Sequence, residues 1–360
     1  MANINDYIKW RGDIDLDVSP LNEVDIMILS RFSYLPFQMV KHNEEETIAS
    51  IAKKFKNFDV KELNMPGDKA LSLNIVNAKR FANIKVTDFR LNTDMEAEKQ
   101  FAAITMHLPS GELFISYCGT DNTLVGWKED FNLSFMMHIP AQLEAVEYLK
   151  NIAKKYPKKK IYLAGHSKGG NVAVYAAVFA PKMIQKRIKM VVNHDGPGFD
   201  KKIINSDEYK AVLDKIYTYI PQSSVIGMLL EHEEKYKVVK SVEKGIMQHD
   251  IYSWQVLGTK IIQLKELTNG SKVVDKSLKN WLKKTTPKQR KTVVDIIYSL
   301  VGTTDALTTR DFAAAKLKNI TTIMKSYKDL DDKDKEMVRT MLNKLFFAAK
   351  ETVFDNDDDE

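Results

Sequence analysis

Residues 161–177 read Ile-Tyr-Leu-Ala-Gly-His-Ser-Lys-Gly-Gly-Asn-Val-Ala-Val-Tyr-Ala-Ala, and this stretch decides the fold expected for the chain. Its first part, Ile161–Ala164, has the apolar character of a buried strand. Its last part, Gly170–Ala177, is rich in small residues and predicts a helix that lies close to a sheet. The pentapeptide Gly165–Gly169 stands between them, and its flanking glycines suit a tight turn that bulky side chains would obstruct. The stretch therefore predicts a strand, a sharp turn and a helix, with Ser167 exposed at the turn.

A Gly-x-Ser-x-Gly turn in this setting is typical of a nucleophile elbow. The amide of Lys168 and the positive end of the following helix would both lie beside the Ser167 hydroxyl, where they can stabilise negative charge. The alternative interpretation is an ordinary glycine-rich turn between a strand and a helix. The strand before the turn and the helix after it favour the elbow, so Ser167 is the candidate nucleophile.

The overall composition is that of a globular protein in a reducing compartment. The chain has 360 residues, of which 44% are hydrophobic and 28% charged, and a formal net charge of +6. The single cysteine, Cys118, allows no intrachain disulfide. The N-terminus lacks the pattern of a signal peptide, and no apolar stretch is long enough to span a bilayer. We therefore expect a cytoplasmic protein.

Basic residues are spread along the chain, and we find no concentrated basic face with aromatic residues that would indicate nucleic-acid binding. One lysine cluster precedes the elbow strand. A solvated helix end, where lysines complement the helix dipole, is the favoured interpretation, and a patch that attracts anionic lipid headgroups is the alternative. The cluster comprises Lys150, Lys154, Lys155, Lys158, Lys159 and Lys160.

Strands and helices alternate over most of the chain. Residues 102–108 and 113–118 predict a hairpin, 139–156 a helix, and 188–193 and 215–220 further strands. Ser19-Pro20 predicts the start of an earlier helix, with Ser19 as its cap. This order is typical of an α/β fold with a mostly parallel sheet flanked by helices.

The pattern changes near Leu264, because residues 272–354 contain helical apolar stripes and no convincing strand. We therefore predict an α/β-hydrolase domain over residues 1–265 and a helical C-terminal region over residues 266–354. An acidic tail, residues 355–360, follows.

A serine nucleophile needs a base, and the expected chain order is serine, acid, then histidine. Two histidines fit this order, His232 and His249. His249 lies between a glycine loop and an apolar segment, where an α/β hydrolase presents its base, whereas His232 lies in a charged stretch. His249 is the favoured base, and the alternative for both is a solvated surface histidine.

Residues 114–121, Phe-Ile-Ser-Tyr-Cys-Gly-Thr-Asp, followed by Trp127 and Asp130, resemble the class 3 lipases. That family has a strand that ends in a Gly-Thr turn, with a tryptophan and an aspartate soon after it. The resemblance implies that the backbone amides of Thr120 and Lys168 form an oxyanion hole. The family usually has arginine where this chain has Cys118, a difference that does not affect a backbone amide. A plain turn at the end of a strand is the alternative.

The acid departs from the class 3 pattern. The resemblance places it in the segment 219–224, Tyr-Ile-Pro-Gln-Ser-Ser, which has no carboxylate. Asp195 is the next candidate, because it follows the strand after the elbow in a setting similar to that of pancreatic-type lipases. A turn-forming aspartate is the alternative role for Asp195. Asp250 also remains a candidate acid, although neighbouring residues seldom turn their side chains towards each other.

Taken whole, the chain resembles a bacterial family of lipase-like α/β hydrolases, the Mbeg-like domain-of-unknown-function group. The resemblance rests on residues 6–13, 22–25, 165–169, 193–199 and 248–250. It implies a serine esterase that uses Ser167, Asp195 and His249 on small-molecule or lipid esters, without a metal or an organic cofactor. A catalytically inactive binding or regulatory module is the alternative function, and a thioesterase or peptidase would use the same triad.

Overall fold

A nine-stranded, mostly parallel sheet organises the fold. The computed structural model of the chain describes residues 2–41, 43, 45–121, 123–304, 315–341 and 343. The strands are β1 (Glu46–Thr47), β2 (Lys85–Asp94), β3 (Lys99–His107), β4 (Leu113–Tyr117), β5 (Ile161–His166), β6 (Ile188–His194), β7 (Ile216–Pro221), β8 (Lys237–Val239), β9 (Val256–Leu257), β10 (Lys260–Ile261) and β11 (Gln263–Leu264). The sheet order is β1-β2-β3-β4-β5-β6-β7-β8-β11, and β9 and β10 form a separate antiparallel pair.

Helices connect most of these strands. The α-helices are Ile4–Arg11, Glu23–Phe32, Ile48–Lys54, Gly67–Ile75, Lys79–Ala82, Leu124–Asn132, Pro140–Lys155, Lys168–Phe179, Lys182–Gln185, Lys201–Ile204, Asp207–Lys210, Asn269–Lys284, Pro287–Gly302 and Lys316–Asp329. Residues 332–341 are also helical. Short 3-10 turns are Phe37–Met39, Val60–Glu62, Leu213–Lys215, Gly245–His249 and Ile251–Ser253. None of the helices that the structure describes is long and apolar enough to cross a membrane.

The strand directions confirm the predicted α/β fold class. Strands β4 to β8 run parallel in sequence order, whereas the predicted hairpin of β3 and β4 is antiparallel. Each parallel step requires a crossover connection, and the helix Pro140–Lys155 supplies the one between β4 and β5. The carboxyl ends of β5, β6 and β7 therefore lie side by side at one edge of the sheet.

Helices cover both faces of the sheet, as the alternation of side chains along β3 shows. Ile104 and Met106 belong to the apolar core that also contains the N-terminal helices. Thr105 points to the opposite face, where its hydroxyl lies 2.8 Å from the hydroxyl of Tyr148 in the helix Pro140–Lys155. Burial on both faces explains why the central strands read as continuous apolar runs.

The chain divides into two compact units. The first comprises Met1–Thr93, Phe101–Gly119 and Ala141–Thr268. The second comprises Asp94–Gln100, Thr120–Pro140 and the described residues from Asn269 onwards. The predicted domain boundary near residue 265 stays a prediction, and the predicted acidic tail, 355–360, lies outside the described residues.

The described residues of the second unit beyond Asn269 are mainly helical, and apolar side chains of these helices pack on one another. Ile296 and Leu300 form a small core with Val338, and Ile323 and Tyr327 pack against it. The helices Leu124–Asn132 and Pro287–Gly302 also line an apolar cavity of about 260 Å³. Its lining residues are Leu124, Trp127, Lys128, Phe131, Val294, Ile297, Tyr298 and Val301.

The predicted helix start at Ser19-Pro20 is wrong. The helix begins at Glu23, and Asn22 is its cap, because the Asn22 side chain accepts hydrogen bonds from the amides of Val24 and Asp25. The Asp25 carboxylate in turn accepts from the Asn22 amide, which completes a capping box. The carbonyls of Ser19 and Pro20 instead accept hydrogen bonds from the Arg80 guanidinium.

A buried ion pair ties this helix to the short helix Lys79–Ala82, which precedes β2. Asp25 and Arg80 are both fully buried, and the Arg80 Nε lies 2.6 Å from the Asp25 carboxylate. The same carboxylate accepts a hydrogen bond of 2.9 Å from the Tyr7 hydroxyl. Removing one partner of such a pair leaves the other charge buried and uncompensated.

We therefore predict that Asp25→Ala lowers the free energy of unfolding by about 3–5 kcal/mol, the usual cost of an orphaned buried charge. Glu147→Ala is the matched control, because its ion pair with Lys150 is exposed, and exposed pairs contribute at most about 1 kcal/mol. Urea denaturation of the two variants measures both effects. A loss of unfolding free energy in Asp25→Ala as small as that in Glu147→Ala would show that the Asp25–Arg80 pair is unimportant for stability.

A second prediction concerns His194, which is fully buried at the end of β6 beside the rings of Tyr219 and Trp254. Burial lowers the pKa of His194 to about 3, whereas an unfolded histidine titrates near ~6.5. As the pH falls from ~6.5 towards the folded pKa, His194 binds a proton in the unfolded chain but not in the folded chain. The free energy of unfolding therefore falls as the pH falls.

His194→Phe removes this proton uptake. We expect the fall of unfolding free energy below pH ~6.5 to become shallower by up to about 1.4 kcal/mol per pH unit. Urea midpoints measured across the pH range test it, and identical slopes for the two proteins would contradict it. The comparison uses slopes alone, so a constant stability difference caused by the substitution does not matter.

Candidate active site

The turn between β5 and the helix Lys168–Phe179 holds Ser167 in a strained conformation. Its φ of 57° and ψ of −135° lie outside the regions that side chains favour, at a cost on the order of 1–3 kcal/mol. Close packing enforces this geometry. A Cβ atom on Gly165 would lie 2.2 Å from the Gly169 carbonyl carbon, and one on Gly196 would lie 2.3 Å from the Ser167 oxygen. The predicted strand, sharp turn and helix are therefore all present.

The end of β4 passes directly against this turn. A Cβ atom on Gly169 would lie 2.2 Å from the Tyr117 oxygen and 2.8 Å from the Gly119 nitrogen. The second glycine of the pentapeptide is thus needed for the approach of a neighbouring strand. Gly119 is followed in the chain by Thr120, whose hydroxyl donates a 2.6 Å hydrogen bond to the Asp130 carboxylate.

Asp195 lies directly after β6 and is fully buried. It also has a positive φ, 53°, and its amide donates to the Tyr219 oxygen at the end of β7. Its Oδ2 lies 2.7 Å from the His249 Nδ1. Its Oδ1 accepts hydrogen bonds from the Ser224 hydroxyl at 2.5 Å and from the Gly227 amide at 3.1 Å. The carboxylate is therefore fully engaged, with one oxygen directed at a histidine.

His249 ends the short turn Gly245–His249, and its side chain is 24% exposed. Hydrogen bonds hold the backbone on both sides of it. The Trp254 indole donates to the Gln248 oxygen at 2.8 Å, and the His166 Nε2 lies 2.7 Å from the His249 oxygen. Within the described residues no hydrogen bond joins the Ser167 hydroxyl to the His249 ring.

His166 is a site residue that the sequence analysis did not identify. Its ring packs against that of His249, with ring centroids 4.6 Å apart. A carbonyl oxygen only accepts, so the His166 Nε2 carries the proton in this contact. Burial, the nearby His249 and Arg31 lower the pKa of His166 well below its ordinary value, so the ring is neutral. In the sequence, only its position next to Ser167 in the pentapeptide could have indicated that His166 belongs to the candidate site.

The two histidines weighed as candidate bases have different partners. The His249 ring faces Asp195. The His232 ring faces the Glu234 carboxylate at 3.0 Å and the Gly227 oxygen at 2.7 Å. Each histidine therefore has its own carboxylate, and Asp195 is paired with His249.

Asp250 occupies a capping position. Its carboxylate accepts a 3.0 Å hydrogen bond from the Tyr252 amide at the start of the turn Ile251–Ser253. Burial raises the pKa of Asp250 above its ordinary value. The His249 ring donates its hydrogen bond to Asp195, which follows β6, and not to the adjacent Asp250.

The segment after β7, where the class 3 pattern has its acid, contributes hydrogen bonds in place of a carboxylate. Ser224 donates to Asp195 and is itself buried. The segment after β7 therefore has no acid of its own and instead supports the carboxylate of Asp195, which follows β6.

The remaining predicted residues are placed as follows. Lys168 is the first residue of the elbow helix, and its side chain is buried. In the lysine cluster, Lys150 pairs with Glu147 and Lys155 with Asp88, each at 2.7 Å. Among the described residues, no group of three histidine, cysteine or acidic side chains could hold a metal ion.

Comparisons with solved structures find lipases at low similarity. The Rhizomucor miehei lipase propeptide complex is 14% identical, with a TM-score of 0.35, over 49% of this chain and 70% of that one. A fungal lipase–inhibitor complex is 13% identical, with a TM-score of 0.37, over 60% and 77% of the two chains. The lipase from Rhizopus microsporus var. chinensis is 15% identical, with a TM-score of 0.33, over 66% and 89%.

The family comparison covers more of the sequence. No curated protein matches the chain. The model of the Mbeg1-like family matches residues 75–299, which is more than half of the chain and includes the elbow, Asp195 and His249. The resemblance drawn from the sequence is confirmed to this extent, and the chain belongs to the Mbeg1-like family.

Proposed function

We propose that this protein is a serine hydrolase that cleaves carboxylic esters through Ser167, His249 and Asp195. The observation that carries the proposal is the 2.7 Å contact between the His249 Nδ1 and a fully buried Asp195 carboxylate. Three elements support it, since Ser167 follows β5 in a strained turn, Asp195 follows the adjacent β6, and His249 is held against His166.

The hydrogen bonds define which nitrogen acts as the base. A carboxylate only accepts, so the Nδ1 of His249 carries a proton, and Nε2 is the ring nitrogen that remains to act as the base. In the proposed reaction this Nε2 takes the proton of the Ser167 hydroxyl while the serine oxygen attacks the ester carbonyl. The alcohol leaves with that proton, and water then releases the acyl group from Ser167 by the same route.

Negative charge develops on the carbonyl oxygen during each attack and requires hydrogen-bond donors. The resemblance to the class 3 lipases assigns this role to the amides of Thr120 and Lys168. The position of Lys168 at the first turn of a 12-residue helix adds the positive end of the helix dipole. No cofactor takes part in the proposed reaction.

We propose a lipid or small-molecule ester as the substrate, because the family resemblance is to lipase-like hydrolases. Hydrolysis rates measured on a panel of esters of graded chain length would identify the preferred acyl chain and alcohol. A cytoplasmic location and contact of the Lys150–Lys160 segment with anionic membranes stay predictions. The competing hypothesis is an inactive protein that uses the fold for binding. A fluorophosphonate probe distinguishes an active hydrolase from such a protein, since the probe labels only an activated serine.

Ser167→Ala should abolish both ester hydrolysis and probe labelling while the fold remains intact. Loss of the nucleophile of a triad typically costs on the order of 10⁶-fold in turnover. Hydrolysis, labelling and circular dichroism are measured on wild type and variant. Unchanged hydrolysis in the variant would place the nucleophile elsewhere, and an unlabelled, inactive wild type would favour the binding module.

The second prediction separates the two candidate acids. Asp195→Asn should lower turnover by about 10⁴-fold, because an amide no longer holds the base in the required tautomer. Asp250→Asn is the matched control, since it makes the same chemical change one residue from His249 at a capping position. We expect a much smaller loss of turnover for the control. The reverse order of the two losses would assign the acid to Asp250.

A further inference from the structure

A second buried histidine–carboxylate pair, His232 and Glu234, is linked to the proposed acid, Asp195, through Gly227. The side chains of His232 and Glu234 are 7% and 3% exposed, and the Nδ1 of His232 lies 3.0 Å from the Glu234 Oε1. The other ring nitrogen, Nε2, lies 2.7 Å from the Gly227 oxygen. Both nitrogens of His232 therefore face oxygen atoms, and a carbonyl oxygen is able only to accept.

The Glu234 carboxylate is saturated with donors. Its Oε2 accepts a 2.6 Å hydrogen bond from the Tyr209 hydroxyl, and its Oε1 accepts one from the Thr218 hydroxyl. Burial opposes ionisation, but the hydrogen bond and charge of His232 together with these hydroxyls lower the pKa of Glu234 to about 2. The Glu234 carboxylate and the Gly227 carbonyl thus both present acceptor oxygens to the ring, and His232 satisfies the two contacts by donating from each nitrogen, as an imidazolium does.

Gly227 connects this pair to the proposed active site. Its amide donates to the Asp195 Oδ1 at 3.1 Å and to the Ser224 hydroxyl oxygen at 2.9 Å. A Cβ atom on Gly227 would lie 2.2 Å from the Asp195 Oδ1, so its backbone packs directly against the carboxylate. The carbonyl of the same residue is the group that His232 holds.

We propose that His232 is a positioning residue for the hydrolase reaction: paired with Glu234, its imidazolium anchors Gly227, and Gly227 with Ser224 keeps the Asp195 carboxylate directed at His249. The inference rests on the proposed function, because Asp195 matters for turnover only if His249 is the base. It assigns a role to the histidine that the sequence analysis weighed as an alternative base.

Acidic side chains predominate among the titratable groups around His232. Glu234 faces one ring nitrogen, with the Tyr209 hydroxyl on the far side of that carboxylate. Asp195 lies beyond Gly227. The flanking acidic residues are Glu233, which is exposed, and Glu231, which lies 3.9 Å from Lys201. That cation on a neighbouring helix is itself 70% exposed.

Two variants test the role. Glu234→Gln removes the carboxylate partner, and an imidazole without such a partner is largely neutral above pH ~6.5. We expect its kcat to be roughly tenfold to a hundredfold below wild type at about pH 8 and to approach wild type at about pH 6. His232→Gln cannot regain the charge, so its kcat should fall by a similar factor at both pH values. KM should change little, because the proposed role of these side chains is to support the acid and not to bind the ester.

Glu233→Gln is the matched control. It removes the same charge at an exposed neighbouring position, and we expect a wild-type kcat at both pH values. Circular dichroism checks that all three variants are folded. A kcat ratio of Glu234→Gln to wild type that is equal at both pH values would overturn the proposal, because a purely structural defect has no such pH dependence.

The charge on His232 is measured independently of turnover. In ¹⁵N-histidine NMR of the wild type near pH ~7 we expect one ring with protons on both nitrogens, and this signal should vanish in His232→Gln. A neutral His232 ring would overturn the inference. Failure of the proposed function is separate: it would appear as a wild-type protein whose Ser167 is not labelled by fluorophosphonate, whatever the state of His232.

Discussion

The close approach of three strand ends at one turn is the constraint on which the proposed site depends. Ser167 adopts a left-handed conformation because the chain must reverse between β5 and its helix within the space left by neighbouring backbones. Because Gly169 has no side chain, the end of β4 can pack against the turn. Because Gly196 has none, the turn after β6 can approach the Ser167 carbonyl. A side chain at Gly196 would push the segment that carries Asp195 away from Ser167, and one at Gly169 would push the end of β4 away from the turn. The same packing that strains the serine therefore brings the proposed nucleophile and acid together.

Buried charge organises the surroundings of that turn. The Asp195 carboxylate has hydrogen bonds to both oxygens, as a buried charge requires. A second buried carboxylate, Asp68, accepts two hydrogen bonds from Arg31 and one from the Tyr252 hydroxyl. Tyr252 lies three residues after His249, so this network ties the segment that carries the proposed base to the N-terminal helices. Arg31 and Asp68 both lie before residue 75, outside the part of the chain that matches the family model.

Local signals predicted the parts of the fold that depend on local physics. The elbow, the hairpin of β3 and β4 and the helix near residues 139–156 follow from apolar periodicity and from glycine and proline punctuation. The helix start at Ser19-Pro20 was predicted wrongly, because Asn22 offers a capping box and Arg80 binds the carbonyls of Ser19 and Pro20. The hydrogen bonds that hold Ser19 and Pro20 outside the helix come from Arg80, some sixty residues away, so no local sequence pattern could have predicted them.

By itself, the sequence determined the strand, turn and helix around Ser167, the α/β class and the membership of Asp195 and His249 in a short set of candidates. Only the tertiary structure decided which carboxylate each histidine contacts, that Ser224 and Gly227 support Asp195, and that His166 packs against His249. The physical reason is the range of the interactions. Turn chemistry acts within a few residues, whereas the hydrogen bond from His249 to Asp195 spans 54 residues and exists only once the strands have set their ends side by side.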